Sequence, residues 1–183
     1  MIYHFSLRAA ALVTGLVLIA LSLPGMVNPG FSQRLAKGLP RSRIVGIVLL
    51  TIALIWSFWL LATMEMGEFA PFRRPLLIGL PIGYVLVLRF VDEFLAVRAL
   101  GILCLLAAEP LLDAAFLRYE QVRLVLTVFA YILIVVGLFW VTMPYLLRDQ
   151  IDWSARRHSR WRFLHALTLL YGVALLALAF TVY

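Results

Sequence analysis

Long apolar stretches separated by short polar breaks run through the whole chain of 183 residues. The first, residues 9–27, stops at Asn28, Pro29 and Gly30. Proline there withholds a backbone donor and glycine accepts positive φ, so a helix ends and the chain turns. The second, residues 44–64, follows Ser42, whose hydroxyl suits an N-cap, and ends against Glu65 and Glu68. A break holding two prolines and the pair Arg73 and Arg74 precedes the third, residues 76–91. The fourth covers 94–117, the fifth 124–147 and the sixth 163–183. Each comes near the roughly 20 residues that cross a hydrocarbon core about 30 Å thick. None alternates in the manner of a lipid-facing barrel strand, and a backbone without water must satisfy itself internally, so the stretches are helices. The pattern predicts an all-α, polytopic integral membrane protein of about six transmembrane helices, a single domain over residues 1–183 with no soluble domain.

Two breaks carry more detail. Between the first and second helices Phe31, Leu35 and Leu39 recur every fourth position, with Ser32, Gln33, Arg34 and Lys37 on the other sides. That spacing suits a short helix in the membrane interface, with a flexible loop as the alternative. Between the third and fourth helices Arg89–Arg98 contains neither Gly nor Pro, and charge decides the cut. A turn near Asp92 and Glu93 gives six crossings and puts 11 basic residues on one side against 5 on the other. Without the turn the count is nearly even, which the positive-inside tendency disfavours. Six crossings with both termini outside follow. Trp140, Trp153 and Trp161 then fall at the inner surface, and Trp56 and Trp59 in the outer half of the second helix. Residues 9–27 form a run longer than a signal-peptide core, with a weak cleavage context, and are expected to remain as a helix. A compact chain without a transit peptide suggests a bacterial inner membrane.

Composition agrees: 64% of residues are hydrophobic and 14% charged, against about half and a quarter in a soluble domain. The net charge of +7 comes largely from two cationic segments. In the second, Arg156, Arg157, Arg160 and Arg162 are interleaved with Trp153 and Trp161. Such a mixture also occurs in nucleic-acid binders. Here it joins two membrane helices, so the expected partner is anionic lipid headgroups, worth about 1 kcal/mol per basic residue. The lone Cys104 lies in an apolar run and is expected to pack as a small side chain.

The chemistry-bearing residues gather on the third and fourth helices. Arg89, Asp92, Glu93, Arg98, Glu109 and Asp113 interrupt a region that is otherwise almost entirely apolar. Intramembrane charges cost about 2.5–3.5 kcal/mol each on insertion scales, so they persist where they are paired or used. Glu109 and Asp113, four residues apart, share a helix face and repel unless a proton or cation lies between them. Pro110 loosens the helix at that point. Arg98 returns to nearly the same face as Glu109 but about 16 Å away along the axis. Glu93, Arg98, Glu109 and Asp113 are therefore candidates for an ion or proton pathway or a partner contact. The structural alternative pairs Glu93 with Arg89, and the two outer acids with Arg118 or Arg123. Gly79 and Gly83, also four apart, offer a face on which another helix can pack closely. Among His4, His158 and His165, only His165 lies where it could be an axial ligand to a single tetrapyrrole.

No phosphate-binding glycine loop, metal-spaced Cys/His set, zinc-protease motif or nucleophile elbow occurs, and no internal repeat relates the two halves. The expectation is a non-enzymatic subunit or scaffold of a larger membrane protein assembly, with other membrane subunits and lipid as partners and no cofactor, metal or nucleic acid. The alternatives are a small proton- or ion-coupled transporter built on the acids of the fourth helix, and a single-histidine pigment or haem carrier.

Overall fold

A computed structural model of the chain describes residues 6–91, 93–116 and 122–181. Its helices are α1 (Leu7–Val27), α2 (Pro29–Gly38), α3 (Arg43–Thr63), α4 (Arg73–Phe90), α5 (Leu95–Ala115), α6 (Arg123–Thr142), α7 (Tyr145–Ala155) and α8 (His158–Thr181). Two 3-10 segments, Leu39–Arg41 and Gly67–Phe72, lead into α3 and α4. Among the described residues there is no strand. Six helices are long and apolar enough to cross a bilayer, the one containing α4 being counted from Gly67 to Phe90. The protein has the make-up of a multi-pass membrane protein.

Local signals set the boundaries. Asn28 ends α1 and also starts α2, its Oδ1 accepting from Phe31 N at 3.2 Å, with Pro29 in the first helical position, where no donor is needed. Residues 29–38 thus form a helix rather than a loop. The Ser42 hydroxyl accepts from Val45 N at 3.3 Å and caps α3. Phe94 adopts a left-handed conformation with φ 55°. A bulky residue there costs about 1–2 kcal/mol, and this reversal of the chain divides α4 from α5. Asp92 lies outside the described residues.

The fifth apolar stretch ends earlier than its hydropathy implies. α6 stops at Thr142, and Pro144, which has no N–H to continue a ladder, opens a separate helix, α7. The apolar Tyr145, Leu146 and Leu147 belong to α7, not to the transmembrane helix. Most of the arginine-rich segment is therefore helical rather than a loop. Trp140 Nε1 donates to Gln150 Oε1 at 3.3 Å, joining α6 to α7.

The spanning helices pack as three antiparallel pairs. α1 lies against α8, with Gly15 opposite Gly172 and Gly25 against His165. α5 lies against α6, where Gly101 and Gly137 cross. α3 lies against α4 through a 2.8 Å hydrogen bond between the Thr51 and Tyr84 hydroxyls. α3 and α5 run side by side in the same direction, and Gly46 of α3 sits over the Ala96 backbone nitrogen at the start of α5. Leu7, Leu18, Ala108, Leu111, Leu126 and Leu175 form the core joining α1, α5, α6 and α8, while Leu50, Leu95 and Ala99 join α3 to α5. α2 meets α7 at one end of the bundle and also the start of α8, Gln33 Nε2 lying 3.4 Å from His158 Nδ1.

Candidate functional site

Four arginines, each in the first turn of a helix, reach across to the carbonyl end of an antiparallel neighbour. Arg98 Nη1 of α5 donates to Val141 O near the end of α6 at 3.0 Å, and Arg123 Nη1 of α6 donates to Ala115 O at the end of α5 at 3.3 Å. In the other pair Arg43 Nη2 of α3 donates to Leu88 O of α4 at 3.4 Å, and Arg73 Nη2 of α4 donates to Met64 O just beyond α3. A helix leaves its last carbonyls unpaired and its C-terminal end partly negative, so a guanidinium there satisfies both needs. This reciprocal capping accounts for Arg98, which the sequence left unexplained. The Arg98 guanidinium thus faces α6, at the opposite end of the fold from Glu109.

The four ionisable candidates divide between the two ends. Glu93 is exposed beside Pro40, Arg41, Ser42 and Arg43, around a hollow of about 300 Å³. Among the described residues Arg89 and Glu93 form no ion pair, in contrast to the structural pairing expected for them. Arg123 is engaged with the Ala115 carbonyl, and Arg118 lies outside the described residues.

Glu109 and Asp113 line a cavity of about 940 Å³ at the end opposite α2 and α7. Its other walls are Trp59, Thr63, Met64 and Glu65 from α3 and the two residues following it, Leu105, Ala108, Leu112 and Phe116 from α5 and its end, and Ile134 from α6. Three carboxylates thus share one hollow with an indole, a hydroxyl and an apolar floor. Pro110, beside Glu109, supplies no N–H to the carbonyl of Leu106, the usual partner one turn back. Thr63 Oγ1 is turned back to its own helix, bonding to Trp59 O at 2.8 Å. Among the described residues no three of His, Cys, Asp and Glu come together closely enough to hold a metal ion.

Trp59, Thr63 and Glu65 are the site residues that sequence reasoning missed. Glu65 stood only as a marker of the membrane surface. The signal that could have found them is the parallel placement of α3 and α5, which brings the ends of both helices to one level.

The remaining candidates have structural surroundings. A Cβ on Gly79 or Gly83 would meet nothing within 4 Å, so within this chain the glycine face of α4 is not a packing face. It borders an open groove of about 380 Å³ beside Leu50, Ala53, Ser57 and Tyr84. The close-packing glycines are Gly15, Gly25, Gly46, Gly101, Gly137 and Gly172. The His165 ring fills the space over Gly25 and tilts against Trp161 at 4.9 Å between centroids. That arrangement occupies the ring within the α1–α8 contact and weighs against a tetrapyrrole there. His4 lies outside the described residues. Arg156, Arg157 and Arg162 are exposed, and the Arg160 guanidinium lies 4.9 Å above the Trp153 ring centroid.

The chain matches no protein-family model, no curated protein and no solved structure.

Proposed function

We propose that this protein is a non-enzymatic subunit or scaffold of a larger membrane assembly, and that α4 is the helix through which it joins other subunits. One observation carries the reading. α4 has no buried residue, touches the rest of the spanning helices chiefly through α3, and presents Gly79 and Gly83 to open space. Every glycine of α1, α3, α5, α6 and α8 sits against a neighbouring helix. In lipid, where helix association depends on close van der Waals contact rather than on expulsion of water, paired small residues are the usual means of approach. The membrane we assign is the bacterial inner membrane, with the cationic α2–α7 end in the cytoplasm and both termini outside, in line with the positive-inside tendency.

The test is crosslinking in native membranes. Gly83→Cys in a Cys104→Ser background is treated with a short bifunctional thiol reagent. A discrete adduct larger than the 20.7 kDa chain, lost when Gly79→Ile is added, is the expected result. A protein that purifies in mild detergent as a monodisperse monomer, with no adduct in membranes, overturns the reading.

A further inference from the structure

We infer that the corner between α7 and α8 holds a single anionic phospholipid, its phosphate among Arg156, Arg157 and Arg160 and an acyl chain along Phe163, Leu167 and Leu170. Attraction from net charge alone is diffuse, whereas this corner has the features of a defined site. The first is spare positive charge. α7 ends at Ala155 and α8 begins at His158, so Arg156 and Arg157 are the whole connection, with Arg160 in the turn that follows. Arg156 and Arg157 are exposed and, among the described residues, form no hydrogen bond or ion pair. Even Asp152, four residues before Arg156, is not paired with it. Elsewhere Arg73, Arg98 and Arg123 are engaged with carbonyls, and Arg148 with Asp149 at 2.9 Å. α2, which packs against α7, adds exposed Arg34 and Lys37 to this end and no acid.

The second feature is a fixed arrangement. The Arg160 guanidinium lies 4.9 Å from the Trp153 ring centroid, a cation–π contact that ties the first turn of α8 to the last turn of α7. It holds the two arginines between them in a short arc, so less freedom is lost when a phosphate is taken up. Guanidinium groups also meet phosphate oxygens two at a time. The third feature separates a lipid from a polyanion outside the membrane. Arg160, Phe163, Leu167 and Leu170 recur at three- and four-residue spacing and share one face of α8. The last three are exposed, so an apolar line runs down the helix from the cationic corner. An acyl chain attached to the bound phosphate covers that line, which a nucleic acid or a free phosphate would leave bare.

The inference goes beyond the assembly reading, and its failure would leave that reading untouched. The full chain is reconstituted in phosphatidylcholine with trace phosphatidylglycerol or phosphatidylcholine spin-labelled on an acyl chain. Electron spin resonance reads the motionally restricted fraction of each probe. A preference for phosphatidylglycerol is expected, displaced by the unlabelled lipid with saturation at a single lipid per chain. Arg157→Gln lowers the preference about fivefold, the scale of one basic residue at an anionic surface. Arg74→Gln, at an exposed arginine of the opposite end, leaves it unchanged. Trp153→Leu keeps every charge and still lowers the preference several-fold, because Arg160 loses the ring that holds it; diffuse attraction would not register that change. Equal restriction of the two probes, a preference that never saturates, a loss in Arg74→Gln as large as in Arg157→Gln, or a preference that Trp153→Leu leaves intact overturns the inference.

Discussion

The Tyr171 hydroxyl of α8 donates to the Val125 carbonyl oxygen of α6 across 2.6 Å, while its ring lies 5.8 Å from that of Phe129. The α1–α8 pair is thereby tied to the other spanning helices by a directional bond as well as by the apolar core. Tyr171→Phe keeps the ring and removes the bond. It should lower stability by about 0.5–1.5 kcal/mol, measured by unfolding in mixed dodecyl sulfate and mild detergent. An unchanged midpoint would mean that apolar packing alone holds the pair in place.

Arg98 should prove structural. Arg98→Met leaves the Val141 carbonyl without its guanidinium partner, and a hydrogen bond to a charged group contributes about 1.5–3 kcal/mol. The Arg98 Nε is buried without a partner, which offsets part of that gain and puts the loss at the lower end. The same unfolding assay checks it. Arg98→Lys should recover part of the loss, because an ammonium still reaches a carbonyl but without the planar fork. A variant as stable as the parent would show that the end of α6 does not depend on this cap.

The glycines should fall into two groups. A Cβ on Gly137 would lie 2.8 Å from the Gly101 carbonyl oxygen, a backbone atom that cannot move aside. Gly137→Ala must push α5 and α6 apart and should cost about 1–3 kcal/mol. A Cβ on Gly83 meets nothing, so Gly83→Ala should stabilise the isolated chain by up to about 1 kcal/mol through helix propensity. Thermal unfolding of the two variants side by side is the check. Equal responses would remove the distinction between packed and open glycines.

Six crossings require α2 and α7 to face one compartment and the 3-10 segment before α4 to face the other. In a Cys104→Ser background, cysteines at Lys37 and Arg157 should react with a membrane-impermeant thiol reagent from the same side. A cysteine at Glu68 should react only from the opposite side. Labelling of positions 37 and 157 from different sides would rule out the reversal at Phe94 as a membrane turn.

Most of the fold was legible because hydropathy reports directly on what a bilayer tolerates. The ends of α1 and α3 show in Asn28, Pro29 and Ser42, whose backbone and side-chain chemistry act within a few residues. The separation of α6 from α7 was hidden by Tyr145, Leu146 and Leu147, which continue the apolar run although Pro144 had already interrupted the ladder. The candidate site was legible only in part. Glu109 and Asp113 stand out because they interrupt an apolar helix, and their four-residue spacing fixes a common face. Trp59, Thr63 and Glu65 join them through which helices become neighbours, and hydropathy carries nothing about that choice. Gly79 and Gly83 show the same limit: the spacing announces a face for close approach, and only the packing tells whether the chain itself uses it.

The abrupt reversal at Phe94 bears on how the protein enters its membrane. The segment ending at Phe90 is the least apolar of the six, with mean hydropathy 1.3 against 1.9 for the helix beginning at Leu95. Only four residues separate Phe90 from Leu95, which favours entry of the two as one unit. The weaker segment should therefore enter with the stronger one as a hairpin. A flexible insert between Phe90 and Leu95 would uncouple that step, leaving the marginal segment to partition by itself and a fraction of newly made chains with the wrong orientation.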